Sequence, residues 1–275
     1  MASNLVPDFE VKVLLKPSEV LGSNNKFKDE VVSAFDISSD TKKMSIQFVD
    51  TKDQDAYTEG WSLRIRKTEG RRKFELTYKK RYSISDGSST STGGNIDAAL
   101  ETAKKEGFDS TTSFEAQVEV GYPKQTLSIS QDEKVPDTGF QGIDLPPADN
   151  SRKLLCDNAP NIFRNWKANN WGTDLLVTSI VYGPVFAQRY EGTLNKGASD
   201  ELVVFIEVWP IRKSKTDGTF EPIVEASFKT KKLEKAQEGR AKLVKLLQDK
   251  GWFLAANSLK TKLIMERYGE VISGL

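Results

Sequence analysis

DFEVKVLL, residues Asp8–Leu15, alternates without a fault as far as Val13. In an extended strand Asp8, Glu10 and Lys12 point one way, and Phe9, Val11 and Val13 point the other. A half-buried strand usually turns apolar residues to the core and ordinary polar ones to water. Here the polar face is two acids and a base in succession. Either this is a solvated outer face, or it looks into an enclosed polar space.

The chain downstream repeats the pattern. Lys43–Asp50 (KMSIQFVD) reads as a second strand, and Trp61–Lys67 (WSLRIRK) sets Ser62, Arg64 and Arg66 against Leu63 and Ile65. A turn at Glu69-Gly70 leads to Lys73–Lys80, where Lys73, Glu75, Thr77 and Lys79 alternate with Phe74, Leu76 and Tyr78. The composition of Ser83–Gly94 predicts a loop, and Asn95 caps a helix that runs to about Glu106 before Gly107. Ser113–Val120 alternates again, with Glu115, Gln117 and Glu119 on one face, and Gln125–Ser130 continues as a short strand. Residues 132–150 read as loop, Ser151–Asn169 as helical, and Leu175–Gln188 as a β-rich run broken by Gly183-Pro184 and closed by Arg189. Glu201–Trp209 and Ile223–Lys229 form a hairpin across Asp217-Gly218, and Leu233–Asp249 and Leu259–Arg267 are helices.

Composition excludes much chemistry. With His 0, imidazole acid–base catalysis, His-based triads and His-type zinc sites are all absent. The lone Cys156 excludes an internal disulfide and fits a reducing compartment. A metal would therefore be held by oxygens, which favours Mg²⁺, Mn²⁺ or Ca²⁺. Lys+Arg 40 against Asp+Glu 39 leaves a net charge of +1, so no global field draws the chain to nucleic acid or an anionic membrane. No apolar run approaches the ~20 residues of a membrane span, and MASNLVPDF has no signal-peptide pattern. The expectation is a cytoplasmic protein of one domain, residues 1–275.

The fold class expected is α+β: an eight-stranded antiparallel barrel with helices packed outside and at the C-terminus. Charges gather on one parity in each strand, and the opposite parity carries large apolar side chains (Phe9, Leu63, Phe74, Tyr78, Phe114, Val204). The helices need an apolar surface to pack on. Covering the outside of the barrel would leave the charged faces within, where only a ligand, ions or water offset their burial.

These residues resemble the CYTH superfamily, the triphosphate tunnel metalloenzymes. DFEVKV is similar to the ExExK signature of the first strand, with Asp8 in place of the first Glu and with Glu10 and Lys12 in register. FVDTKDQDAYTEGWSLRIRK (48–67) is similar to the family's aromatic-x-DT segment and its strand of paired arginines. LTYK (76–79), FEAQVEV, Arg189, Glu207, Glu225 and NSLKTKL (257–263) follow in the family's order. Gln117 interrupts the acidic strand, and Ser227 stands where a second closing-strand acid is expected.

The resemblance implies a metal-dependent hydrolase acting on a triphosphate bound along a charged tunnel. Lys12, Arg64, Arg66, Lys79, Arg189 and one of Lys260 or Lys262 would grip phosphate oxygens. Asp8, Glu10 and Glu225 would hold Mg²⁺ or Mn²⁺, with Glu115, Glu119 or Glu207 supporting that ion or a second one. Glu10, Lys12 and Glu225 are the expected catalytic set. The expected partner is a small-molecule triphosphate: inorganic triphosphate, a nucleoside triphosphate or thiamine triphosphate, with an RNA 5′ end the one nucleic-acid case. Three alternatives stay open: a polyphosphate-binding barrel without turnover, a cyclase or other repurposed enzyme, and a plain barrel with its charges outside.

Overall fold

The structure, a computed structural model, describes residues 5–84, 95–198, 201–257 and 260–269. Most of the predicted Ser83–Gly94 loop, and Leu259 at the start of the last helix, lie outside the described residues. Among the described residues ten strands are found: β1 (Asp8–Leu15), β2 (Thr41–Asp50), β3 (Trp61–Thr68), β4 (Lys73–Ile84), β5 (Glu115–Val120), β6 (Gln125–Pro136), β7 (Ile180–Leu194), β8 (Leu202–Arg212), β9 (Phe220–Thr230) and β10 (Phe253–Leu254). Nine of them close into a ring in the order β1-β5-β6-β4-β3-β2-β7-β8-β9, with β9 pairing back onto β1. β10 lies outside the ring and pairs with Leu14 and Leu15.

The α+β barrel expected from the sequence is present, with three corrections. It has nine staves rather than eight, because Gln125–Ser130, read as a short continuation, is a full stave, β6, that runs on to Pro136; nor does Gly183-Pro184 break β7. A register shift between Ile46 and Phe48 on the partner strand lets β7 continue past the proline. The ring is also not wholly antiparallel. β5 follows the segment that carries the helix Ile96–Lys105, and it returns to pair with β1 in parallel, Phe9 beside Val118 and Glu10 beside Glu119. A third correction concerns Leu175–Thr178, read as β-rich, which ends the helix Trp171–Thr178. A short buried apolar run fits either state by pattern alone.

The helices do cover the outside. Helix Leu233–Asp249 turns Ala236, Gly239, Leu243 and Leu247 to β1 and β9, against Val11, Val13 and Phe228. The approach is close enough that a Cβ on Gly239 would stand 2.5 Å from the Phe228 ring. On the far side Trp61, fully buried, meets Phe108, Phe114, Phe163 and Trp166 with ring centroids 5.1–6.4 Å apart. Burying each such side chain contributes roughly 1.5–3 kcal/mol. Asn95 caps its helix through the Ala98 amide, as its sequence position predicts. None of the helices among the described residues is long and apolar enough to cross a membrane.

Candidate functional site in the barrel interior

Because the outer parity of the strands is taken by the helices, the charged parity faces the bore. Arg64, Arg66 and Lys79 leave only 23%, 21% and 16% of their side chains exposed, so they do not stand in bulk solvent. That removes the alternative of a plain barrel with its charges outside.

The bore charges form three linked groups. In the first, Lys12 Nζ lies 2.9 Å from Glu10 and 3.3 Å from Glu119, and Lys79 Nζ is 3.0 Å from the other Glu119 oxygen. With its side-chain amide turned to suit both neighbours, Gln117 donates to Glu10 at 2.8 Å and accepts from Lys229 at 3.2 Å. In the second, Arg64 and Arg66 converge on Glu75, Arg64 at 3.2 Å and Arg66 in closer contact. Arg64 also donates to Thr77 (2.8 Å), whose hydroxyl donates to Asp132 (2.6 Å). In the third, Arg189 reaches one Glu207 oxygen through Nε (2.8 Å) and Nη2 (2.6 Å). Lys260 Nζ lies 2.8 Å from Glu207 and 2.8 Å from Glu225, over the Trp209 ring, and the Trp209 indole N–H donates to Glu207.

These groups feel one another electrostatically. Burial works against the charge of Lys12, but Glu119, Glu10 and Glu225 overcome it and push its pKa up. Burial likewise opposes ionisation of Glu10, Glu119 and Glu207, yet the adjacent bases hold all three carboxyls below the usual range. Lys79 goes the other way. Burial, with Lys12 and Arg81, outweighs Glu119 and draws it down to about 8. Arg66 is drawn down to about 10 by burial and by Arg64, against the pull of Glu75.

Not every predicted residue enters this network. Asp8 and Glu115 share the inner parity but are exposed at the rim. Of the two candidate lysines in the last helix, Lys260 enters the bore, whereas Lys262 is exposed and pairs with Glu266 one turn on. Sequence reasoning passed over Thr77 and Arg81, which share a parity with Glu75 and Lys79, and Asp132, hidden because β6 was ended at Ser130. Glu75 and Lys229, to which the resemblance assigns no role, also touch the network.

The inner face is not charged all round. Met44, Ile46 and Phe48 on β2, Val185 and Ala187 on β7, and Trp209 and Ile211 on β8 form a second apolar cluster. The C-terminal helix Lys260–Arg267 fills it with Ile264 and Met265, and Tyr268 follows. The helix is pinned by Arg267 on the Arg212 carbonyl and Glu221, and by Gln54 on the Met265 carbonyl. Lys260 is thereby carried to its two acids.

The divalent cation implied by the family resemblance does not fit the carboxylates as they stand. Among the described residues no three acidic, His or Cys side chains gather where they could hold a metal ion. Glu10, Glu119, Glu207 and Glu225 are each bonded to a base.

No family model matches the chain, and no curated protein matches it by sequence. Solved structures do. The fold is similar to that of HpAC1 from Hippeastrum, an adenylyl cyclase candidate with a dominant triphosphatase activity, at TM-score 0.50 and 15% identity over 92% of this chain and 93% of that one. A second likeness, at TM-score 0.47 and 11% identity over 95% of this chain and 98% of the other, is to a candidate adenylate cyclase of Bacillus halodurans. At 15% identity the likeness to HpAC1 shows the fold: a closed β-barrel with helices around it, the architecture implied by the resemblance of the first strand.

Proposed function

We propose that this chain is a divergent member of the CYTH superfamily that binds a triphosphate group in the charged part of its bore and hydrolyses the terminal phosphoanhydride. The observation that carries the reading is the gathering of Lys12, Arg64, Arg66, Lys79, Arg189 and Lys260 in one bore, all but Arg189 less than a quarter exposed. Guanidinium and ammonium groups in a partly desolvated pocket are the natural grip for successive phosphate oxygens. An entering polyanion shares those bases with the bore carboxylates through the N–H donors that the carboxylates leave over. Glu10 and Glu225 are the carboxylates to which this reading gives the task of holding water. Its oxygen would bond to the terminal phosphorus as the bridging P–O bond breaks, diphosphate leaves, and the water proton passes to a carboxylate or phosphate oxygen. The resemblance assigns Mg²⁺ or Mn²⁺ to this chemistry, so assays are run with either ion and with neither.

A second reading, binding without turnover, is favoured by one observation: every carboxylate named in the three groups is engaged by a neighbour. The test presents tripolyphosphate, ATP, thiamine triphosphate and a 5′-triphosphate RNA, follows phosphate release, and measures binding by calorimetry. Release with saturation supports the hydrolase. Binding with no release leaves the binding barrel, and no binding of any of them overturns both. With ATP, cyclic nucleotide plus diphosphate would mark a cyclase instead.

A further inference from the structure

One construction occurs twice in the bore. Glu10 on β1 stands directly beside Glu119 on β5, and Glu207 on β8 directly beside Glu225 on β9. Like charges opposed on neighbouring strands destabilise a sheet unless something stands between them. A lysine ammonium does so in both places. Lys12 bridges the first couple at 2.9 and 3.3 Å, and Lys260 bridges the second at 2.8 and 2.8 Å. The two lysines arrive by different routes, one from a barrel strand and one from the helix that plugs the bore, so the repetition does not come from a shared local motif. The second couple is the more enclosed, with side-chain exposures of 7% for Glu207 and 3% for Glu225. At the first couple the Gln117 amide donates to Glu10 and accepts from Lys229, which β9 places opposite Glu10.

We infer that Lys12 and Lys260 are built-in counter-cations that occupy the places a divalent ion would take, so that the bore binds its polyanion without a metal. This rests on the polyanion-binding reading for the ligand, but not for the metal. A paired-carboxylate site accepts a divalent ion only if its oxygens are free to turn toward it. Here each couple is already clamped by an ammonium group with little solvent around it. An incoming metal would have to expel that group and leave it buried without its partners, which is strongly unfavourable. A phosphate chain faces no such obstacle, since each ammonium group has three N–H donors and spends two on its carboxylates, so a phosphate oxygen can take the third while the couple stays clamped.

The experiment has two arms. In the first, Mn²⁺ is titrated into the wild-type protein alone and followed by paramagnetic resonance of the free ion. The expected result is no binding at micromolar Mn²⁺; a micromolar site on the wild type overturns the inference. Lys260→Met takes the bridging ammonium away from Glu207 and Glu225, and it is expected to bind Mn²⁺ at least ~10-fold more tightly than the wild type. If that variant does not fold, the wild-type titration decides by itself. In the second arm, tripolyphosphate binding is measured by calorimetry in EDTA and in Mg²⁺. Affinity in EDTA equal to or higher than that in Mg²⁺ is expected, because Mg²⁺ only screens the ligand's charge. A ~10-fold loss on chelation overturns the inference. Failure of tripolyphosphate to bind under any condition removes the proposed function, while the Mn²⁺ titration still decides whether the lysines stand in for the metal.

Discussion

The inner face of this barrel is built from two surfaces of opposite chemistry, and they are held in opposite ways. On β1, β3, β4 and β5 it is a mesh of acids and bases in which each charge leans on another strand's charge. On β2, the stretch of β7 up to Ala187 and the far part of β8 it is apolar and sealed by the C-terminal helix. The apolar side gains stability from burial and tolerates no charge. The charged side gains little net stability from its ion pairs, and it can exchange one anionic partner for another. The seam between them is Lys260: the helix that belongs to the apolar side delivers a cation to the charged side. Closure of the barrel and chemistry of the bore are thus coupled through one segment.

The sharpest way to break that division is to put a charge on the wrong side. Ile264, fully buried in the plug, is changed to Asp. The loss expected is about 4 kcal/mol or more, or roughly 10 °C in the melting temperature of a chain this size. Asp8→Asn, a charge change at the exposed rim of the charged side, is expected to move stability by less than about 0.5 kcal/mol. Thermal and urea denaturation of both variants checks the contrast; equal effects would show that the two surfaces are not energetically distinct.

At the seam, Glu207→Ala leaves Arg189 without its carboxylate partner and halves the support of Lys260. Removal of one partner from a buried pair costs about 3–5 kcal/mol, measurable by urea unfolding. Within the charged side, Arg64→Ala leaves Glu75 still held by Arg66, so the fold should change little. Tripolyphosphate affinity should fall ~10-fold or more if one charge-assisted contact of about 1.5–3 kcal/mol is lost. Unchanged affinity would take Arg64 out of the phosphate grip.

Much of this division was legible in the residues, and its limits have physical causes. Strand parity placed Glu10, Lys12, Arg64, Arg66 and Lys79 on one face, because a period of two needs no partner to be recognised. The need of the helices for an apolar floor then turned that face inward. The apolar side was not legible. Met44, Ile46 and Phe48 share a strand with Ser45 and Gln47, and the polar pair faces outward, where Gln47 donates to Pro146 and Ser151. Alternation alone does not say which parity faces in when a second element fills the bore. Nor did it separate Lys260 from Lys262, two residues apart on a helix whose orientation is set by Ile264 and Met265. The neutralisation of the acids was hidden for the same reason: Glu207 and Glu225 become neighbours only through strand register, and their cation comes from 35 residues beyond Glu225.

The smallest expected effect probes the charged side from within. Burial, with the charges of Lys12 and Arg81, outweighs the pull of Glu119 and Glu10 on Lys79 and draws its pKa down to about 8. A protonated Lys79 attracts phosphate and a neutral one does not. Its contribution to polyanion binding is therefore complete well below pH 8 and lost as the pH rises through that value. The ligand itself gains negative charge over the same range, which strengthens its hold on the remaining bases and masks the loss. Lys79→Arg separates the two, because a guanidinium stays charged throughout. Between pH 7 and 9 the wild type should lose affinity for tripolyphosphate relative to this variant by a few-fold, the contribution of one exchanged contact among several. Parallel pH profiles would mean that Lys79 stays charged, and that the crowding of bases around it is relieved by the acids to the same degree as at Lys12.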